Sequence, residues 1–482
     1  MTYPGIIFWI FFLFAAVADQ RTLLACFFGS FAFGSLSVVP PELTAGWVFL
    51  PRTVIALLLI YKYVALPFVV SSQRLVRLTR GGNLGFLLAF LAISFVVTMF
   101  MPRLFEGAVS IIPLRVVAFA ASEPLAPNPG NFSQSIYLGV SVMVTFAAAY
   151  MASSPQFARH FLFGVLVGGA ILVGSGVADM MATAAGQSAL LDPFRNATYA
   201  MLTNADVGGV RRVVGLMPEA SAFGSCCVWF GAALLFLRPL YPVGLPRLMA
   251  TVTAVSLVGM ALLSTSSSAY AGLFMLGVLA IANMVRRLMA GSAVSRSGVV
   301  FELISLFVSL IAILVILAVE PEVFDPLVNL VNEIIFNKAM TVSYYERSFW
   351  SQTSWNAFLS TYGMGVGLGS TRASNYFVAL ISNTGVFASA CFFIFLLKVL
   401  LRRSNGSPQY EELNWALKLT IMPALGMAAL GAATPDFDPW LGMIFGSVIG
   451  LSMQARPASH ADGISLAEER PMRQIVPEST FG

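Results

Sequence analysis

The sequence predicts an all-α, polytopic transmembrane helical bundle that crosses the bilayer about 12–13 times. Two observations carry this. Hydrophobic residues make up 58% of the 482 and charged residues 10%, with a mean hydropathy of +0.84, whereas soluble domains carry about 25% charged residues. Apolar runs near the roughly 20 residues needed to cross a bilayer recur from end to end. A membrane β-barrel would show short alternating strands instead.

In chain order the spans are expected at residues 4–18, 22–39, 53–70, 84–101, 135–152, 161–179, 220–237, 248–264, 268–285, 301–319, 376–400, 416–433 and 440–453. The start, Met1 to Ala18, lacks the basic residues of a cleavable signal and is followed by further spans. Lys62, between Tyr61 and Tyr63 inside the third run, is the clearest intramembrane charge. A cation there costs roughly 2.5–3.5 kcal/mol, so it should face protein or snorkel in a structural role. Pro218 suits the first turn of the run at 220–237, and Glu219 suits the positive end of its dipole. Ser264 to Tyr270 supplies hydroxyls between two spans that could cap helix ends, the favoured reading, or bind substrate hydroxyls.

Basic residues in short loops set the orientation. Arg74, Arg77 and Arg80, then Arg238 and Arg247, then Arg286, Arg287 and Arg296, then Lys398, Arg402 and Arg403 mark one side as cytoplasmic. Loops 102–134, 180–219, 320–375 and 434–439 then face outward, which in a bacterial inner membrane is the periplasm. Residues 1–453 form one membrane domain that includes the large loop 320–375. Residues 454–482, with Pro457, Pro471 and Pro477 among polar residues, read as a disordered cytoplasmic tail.

The large loop is the most informative stretch. Tyr344, Ser348, Ser351, Trp355, Phe358, Leu359 and Tyr362 share one face if 344–362 is helical, with Arg347 at its edge and Glu346 opposite. Upstream, Leu327, Leu330, Val331, Ile334 and Ile335 repeat with the same spacing. Two amphipathic helices of this kind would lie at the lipid interface. Gly363, Gly365, Gly367 and Gly369 follow, where the backbone can approach a ligand closely. The run lacks a following Gly-Lys-Ser/Thr and a preceding strand, which excludes a nucleotide loop.

The outward loops hold nine basic residues, Arg52, Arg103, Arg115, Arg195, Arg211, Arg212, Lys338, Arg347 and Arg372. All but one are arginine, whose rigid fork binds phosphate and keeps its charge when partly desolvated. Each could pair with a nearby carboxylate such as Glu219, Glu333 or Glu346; as a set beside amphipathic helices they suit an anionic lipid headgroup. The formal charge of +5 comes mostly from cytoplasmic arginines and gives no reason to expect nucleic acid. Four cysteines, Cys26, Cys226, Cys227 and Cys391, suggest neither disulfides nor a metal site. Few carboxylates lie inside spans, unlike ion-coupled transporters.

Three pieces together resemble the superfamily of O-antigen ligases and Wzy-type polysaccharide polymerases. These are Pro218-Glu219-Ala220-Ser221, the turn Ser264 to Tyr270 followed by Gly272-Leu273, and the loop with Glu346-Arg347, Trp350, the glycine run and Arg372-Ala-Ser-Asn375 leading into Leu380, Asn383 and Gly385. Ligases of the superfamily tend to carry a histidine before the asparagine placed at Asn375; Ser374 stands there, and His160 and His460 are on the cytoplasmic side.

The resemblance implies a GT-C-like fold and an inverting, metal-independent glycosyltransferase that needs no cofactor. It would join undecaprenyl-diphosphate-linked repeat units at the periplasmic face into O-antigen, exopolysaccharide or capsule. Arg347 and Arg372 would hold the leaving diphosphate and Glu219 or Glu346 could take the acceptor proton. Arg211, Arg212, Arg115, Trp350, Ser221, Ser370, Asn375 and Asn383 would bind substrate. Partners implied are the undecaprenyl-diphosphate-linked oligosaccharide, membrane lipids, and a chain-length regulator and flippase. The alternatives are a ligase-type transfer to another acceptor and a transporter of lipid-linked oligosaccharide.

Overall fold

The computed structural model describes residues 2–44, 48–70, 84–114, 122–199, 201–203, 206–207, 210–289, 342–404 and 408–453, with a few positions between 73 and 79. The expected span 301–319, the segment Leu327 to Ile335, Lys338, Arg115 and the tail 454–482 lie outside the described residues.

Among the described residues the chain is an all-α bundle of fourteen helices. They are α1 (Tyr3–Val17), α2 (Gln20–Gly29), α3 (Pro51–Ile60), α4 (Leu66–Val70), α5 (Leu84–Leu104), α6 (Pro129–Met151), α7 (Phe157–Ala184), α8 (Ala220–Leu237), α9 (Leu245–Leu263), α10 (Ser267–Met289), α11 (Val342–Ser360), α12 (Tyr376–Leu401), α13 (Pro408–Gly431) and α14 (Asp438–Ser452). Two short hairpins, Ser110–Ile111 with Glu123–Pro124 and Asp206–Val207 with Val210–Arg211, ornament the loops at one end.

Among the described residues, nine helices are long and apolar enough to cross a membrane, counting Pro51–Phe68 as one. This marks a multi-pass membrane protein. At about 1.5 Å per residue, the 15 residues of α1 and of α14 and the 10 of α2 fall short of a bilayer about 30 Å thick.

The predicted span 22–39 is a short helix and then irregular chain. Its backbone is satisfied by protein: Ser35 N donates to Leu216 O (3.0 Å), Val38 N to Phe49 O (2.9 Å), and Ser37 N to Asn196 Oδ1 (2.7 Å). Buried non-helical chain persists at membrane depth only where protein supplies such partners. A π-helical turn, Tyr61–Ala65, carries Lys62, whose Nζ donates to Ala16 O (3.0 Å) and Ala18 O (2.9 Å), the structural role expected of it.

The innermost helix is α14, buried from Trp440 to Ser452. Gly442, Gly446 and Gly450 lie four apart on it and meet the backbone carbonyls of Ser141, Thr145 and Ala149, four apart on α6. A Cβ on Gly442 would sit 2.6 Å from Ser141 O. Small residues at this spacing let backbones approach closely where lipid removes the hydrophobic drive for association. The N-terminal turn of α14 plugs into aromatic rings: Trp440 is fully buried, 4.5 Å from the Phe230 centroid and stacked on Trp229. Two other close pairs, α2 on α7 and α5 on α12, complete the frame.

Candidate functional site

A cavity of about 1790 Å³ lies where the chain's four predicted outward loops converge. The antiparallel course of the bundle brings the first turns of α3, α6, α8, α10, α12 and α14 to its wall. Each N-terminus adds roughly half a positive charge that favours anions.

Three arginines, Arg212, Arg347 and Arg372, line the cavity with Glu219 and Ser221. Among the described residues none of the three guanidinium groups is in an ion pair. Burial pushes Arg372 below its usual range, and the Arg347 charge adds to this against Glu346 and Glu219. Burial does the same to Arg212, opposed by Glu219 and Tyr270 and reinforced by Arg347. These mutual effects define one electrostatic neighbourhood in which positive charge is incompletely neutralised. An incoming anion would relieve it.

The chain places these groups by specific bonds. Arg372 lies over the Trp350 ring, Cζ 3.8 Å from its centroid, and its backbone is fixed by N–H to Ile112 O (2.8 Å) and by Ser354 Oγ donating to its carbonyl (2.7 Å). Arg212 Nε donates to Ser264 O (3.2 Å), tying it to the hydroxyl turn. In that turn Ser264 caps α9, donating its Oγ to Ala261 O (2.7 Å), while Ser266, Ser267 and Ser268 face the cavity. Ser221 Oγ donates to Glu219 Oε1.

Other residues expected to bind substrate are scaffold. Asn375 caps α12, accepting from Phe377 N (2.9 Å) and Val378 N (3.2 Å). Asn383 is fully buried and donates to Thr371 O (3.0 Å) and Ala379 O (2.9 Å). Ser370, also fully buried, accepts from Asn131 Nδ2 (2.8 Å). Trp350 acts through Arg372, and Glu346 reaches the site only through its charge. Arg211 turns away, donating to Thr183 Oγ1 and lying 3.7 Å from Asp179. Arg115 lies outside the described residues.

Nor do the glycines face a ligand. Gly365 packs against Gly385, whose φ of 76° breaks α12, and Gly369 packs against Gly130 O at the start of α6. A Cβ on Gly365 would sit 2.6 Å from Gly385 N. The close approach is between backbones of the protein itself, and it positions Arg372.

In α11 the face expected at the lipid interface is the one left exposed by the bundle. Ser354, Ala357 and Thr361 are buried against the bundle, whereas Tyr344, Tyr345, Trp355, Leu359 and Tyr362 are exposed. Arg347 comes to the cavity because it lies three residues before Trp350 and seven before Ser354, on the polar side that packs inward.

Sequence reasoning named Arg52 only as one of the outward basic residues and missed the group it forms on the wall with Tyr199, Asp436 and Asp438. Arg52 Nη1 pairs with Asp438 Oδ2 (3.0 Å), Trp440 N donates to Asp438 Oδ1 (2.9 Å), and Asp438 N donates to Asp436 Oδ1 (3.2 Å). Asp438 has φ 68°, a region few residues other than glycine adopt. Burial, with the Asp438 charge beside it, pushes the Asp436 carboxyl up to about 6, against the Ser141 hydroxyl of α6, the Asp438 N–H and Arg52. The available signal was two carboxylates, Asp436 and Asp438, in a six-residue loop between spans on the arginine side. A scan against protein-family models finds no match for this chain, and a search of curated proteins finds none either.

Proposed function

We propose that the chain is a bacterial surface-polysaccharide polymerase of the inner membrane, with a GT-C-like architecture. It joins undecaprenyl-diphosphate-linked repeat units at the periplasmic face by inverting, metal-independent glycosyl transfer. The observation that carries this reading is the set of three cavity arginines without ion pairs. Breaking a sugar–phosphate bond develops negative charge on the leaving diphosphate, and preorganised guanidinium groups in a water-poor site stabilise it. At about 1790 Å³ the cavity exceeds the roughly 300–1,000 Å³ of small-ligand sites. That volume suits two glycan ends and a diphosphate.

On this reading the exposed aromatic face of α11 seats the prenyl chain at the lipid boundary, and Arg212, Arg347 and Arg372 hold the diphosphate. Glu219 lies within the arginine group and accepts from Ser221, so it orients cations.

The test is to incubate purified protein with lipid-linked repeat units and resolve products by gel and mass spectrometry. A ladder of multiples from wild type, lost in folded Arg372→Ala or Arg347→Ala, is expected. Transfer of finished polymer to lipid A core would show a ligase, and movement of substrate across vesicles without a new glycosidic bond would show a transporter.

A further inference from the structure

We propose that Asp436 is the group that takes the proton of the acceptor hydroxyl, in an acceptor pole of the cavity formed by Asp436, Asp438, Arg52 and Tyr199. This rests on the glycosyl-transfer reading above.

The argument begins with the separation of charges within one cavity. The charges that act on Arg212 and Arg372 are those of Arg347, Glu219 and, for Arg372, Glu346. The charges that act on Asp436 are those of Asp438 and Arg52. Both groups line the same space, each held by its own partners: Arg52 by Asp438, Arg212 by Ser264 O and Arg372 by the Trp350 ring. Inverting displacement requires this layout, because nucleophile and leaving group occupy opposite faces of the anomeric carbon and their protein partners must stand apart. Glu219 belongs to the leaving-group pole and is badly placed to receive a proton from the other face.

Within the acceptor pole the two carboxylates differ. Asp438 is committed on both oxygens, to Arg52 and to the Trp440 N–H. Asp436 accepts the Asp438 N–H on Oδ1 and faces the cavity. Tyr376 of α12 and Ser141 of α6 also face Asp436, Cys226 of α8 lies by Arg52 and Asp438, and Tyr137 of α6 lies by Tyr199. Tyr199 donates its hydroxyl to Gly34 O, and burial pushes it up to about 12, so it stays protonated. Gln134, Tyr137, Ser133 and Thr434 add sugar-binding polar groups to the wall. Trp229 Nε1, also on the wall, is buried without an acceptor.

In the step itself the acceptor oxygen forms a bond to the anomeric carbon as its proton passes to the Asp436 carboxylate. The carbon–oxygen bond to diphosphate breaks, and its electron pair leaves with the diphosphate at the arginines. Asp436 then releases the proton to water in the cavity.

The test uses full-length protein in lipid nanodiscs, lipid-linked single repeats extracted from cells lacking this gene, and undecaprenyl diphosphate as the binding probe. Ionised Asp436 is the active form, so wild-type turnover should fall as pH drops through about 6. Asp436→Asn should lose about 10²–10⁴-fold in turnover, lose the acidic limb, and bind undecaprenyl diphosphate as wild type does. Asp436→Glu should restore part of the turnover with a displaced limb. A folded Asp436→Asn protein that polymerises at the wild-type rate, or that no longer binds undecaprenyl diphosphate, overturns the assignment. Where Asp436→Asn does not fold, an unmoved limb in Asp436→Glu overturns it. Wild-type protein that makes no polymer rejects the polymerase reading instead.

Discussion

The Arg372 guanidinium lies over the indole of Trp350, Cζ 3.8 Å from the ring centroid, and its Nε is buried without an acceptor among the described residues. The ring contact holds the guanidinium in place while its N–H groups have no acceptor among the described residues, which suits a bidentate phosphate contact.

Arg372→Ala should therefore lower turnover by about 10²–10³-fold while the protein stays folded in the membrane. Trp350→Ala keeps the charge and removes its support. A cation–π contact of about 1–2 kcal/mol gives roughly a 5- to 30-fold loss. Initial rates with lipid-linked repeats, alongside thermal melts, separate the two.

Asn383 affects the same arginine from behind. Its side chain bonds Thr371 O and Ala379 O from a fully buried position, one residue from Arg372 in the loop. Asn383→Leu leaves those groups unsatisfied at about 1–3 kcal/mol. A lower melting temperature is expected together with weaker undecaprenyl diphosphate binding, and wild-type binding would show that the loop is held by other bonds.

How far the sequence revealed this site depends on what each residue touches. Span positions were legible because apolar run length is a local property, and α5, α6, α8 and α12 begin or end close to the expected residues. Arg212, Arg372, Glu219 and Ser221 were legible as polar residues near the ends of spans, and Arg347 as a charge on the amphipathic stretch of the large loop. Asn375 and Asn383 were not separable from them, because capping and loop anchoring use the same side chains as substrate binding. Asp436, and its grouping with Arg52, were missed because 384 residues separate the two in the chain, and only the packing of α14 beside α3 and α6 brings them to one wall.

Arg211 and Arg212 are adjacent in sequence and opposite in fate. Asp179 is buried, accepts from Arg195 Nη2 (2.9 Å) and from Val214 N (2.9 Å) and Gly215 N (3.1 Å), and holds Arg211 nearby. Removing one partner of a buried pair costs about 3–5 kcal/mol. Asp179→Ala should thus destabilise the fold strongly. Arg211→Ala should lower the melting temperature and spare undecaprenyl diphosphate binding, and Arg212→Ala should do the reverse.

The glycine stripe of α14 links the fold to the acceptor pole. Gly446 contacts the backbone of Thr145 and the side chain of Ala148, so any Cβ there must push α14 away from α6. Backbone cannot yield as a flexible side chain can, and forced overpacking costs about 1–3 kcal/mol. Asp436 and Asp438 sit at the head of this helix and Tyr137 on α6, so separating the two helices widens the acceptor pole and leaves the arginines in place. Gly446→Val should therefore lower the melting temperature and raise the KM for the acceptor repeat more than it weakens undecaprenyl diphosphate binding. Equal losses in both would place the two poles on one rigid frame and remove α14 as the element that sets acceptor geometry.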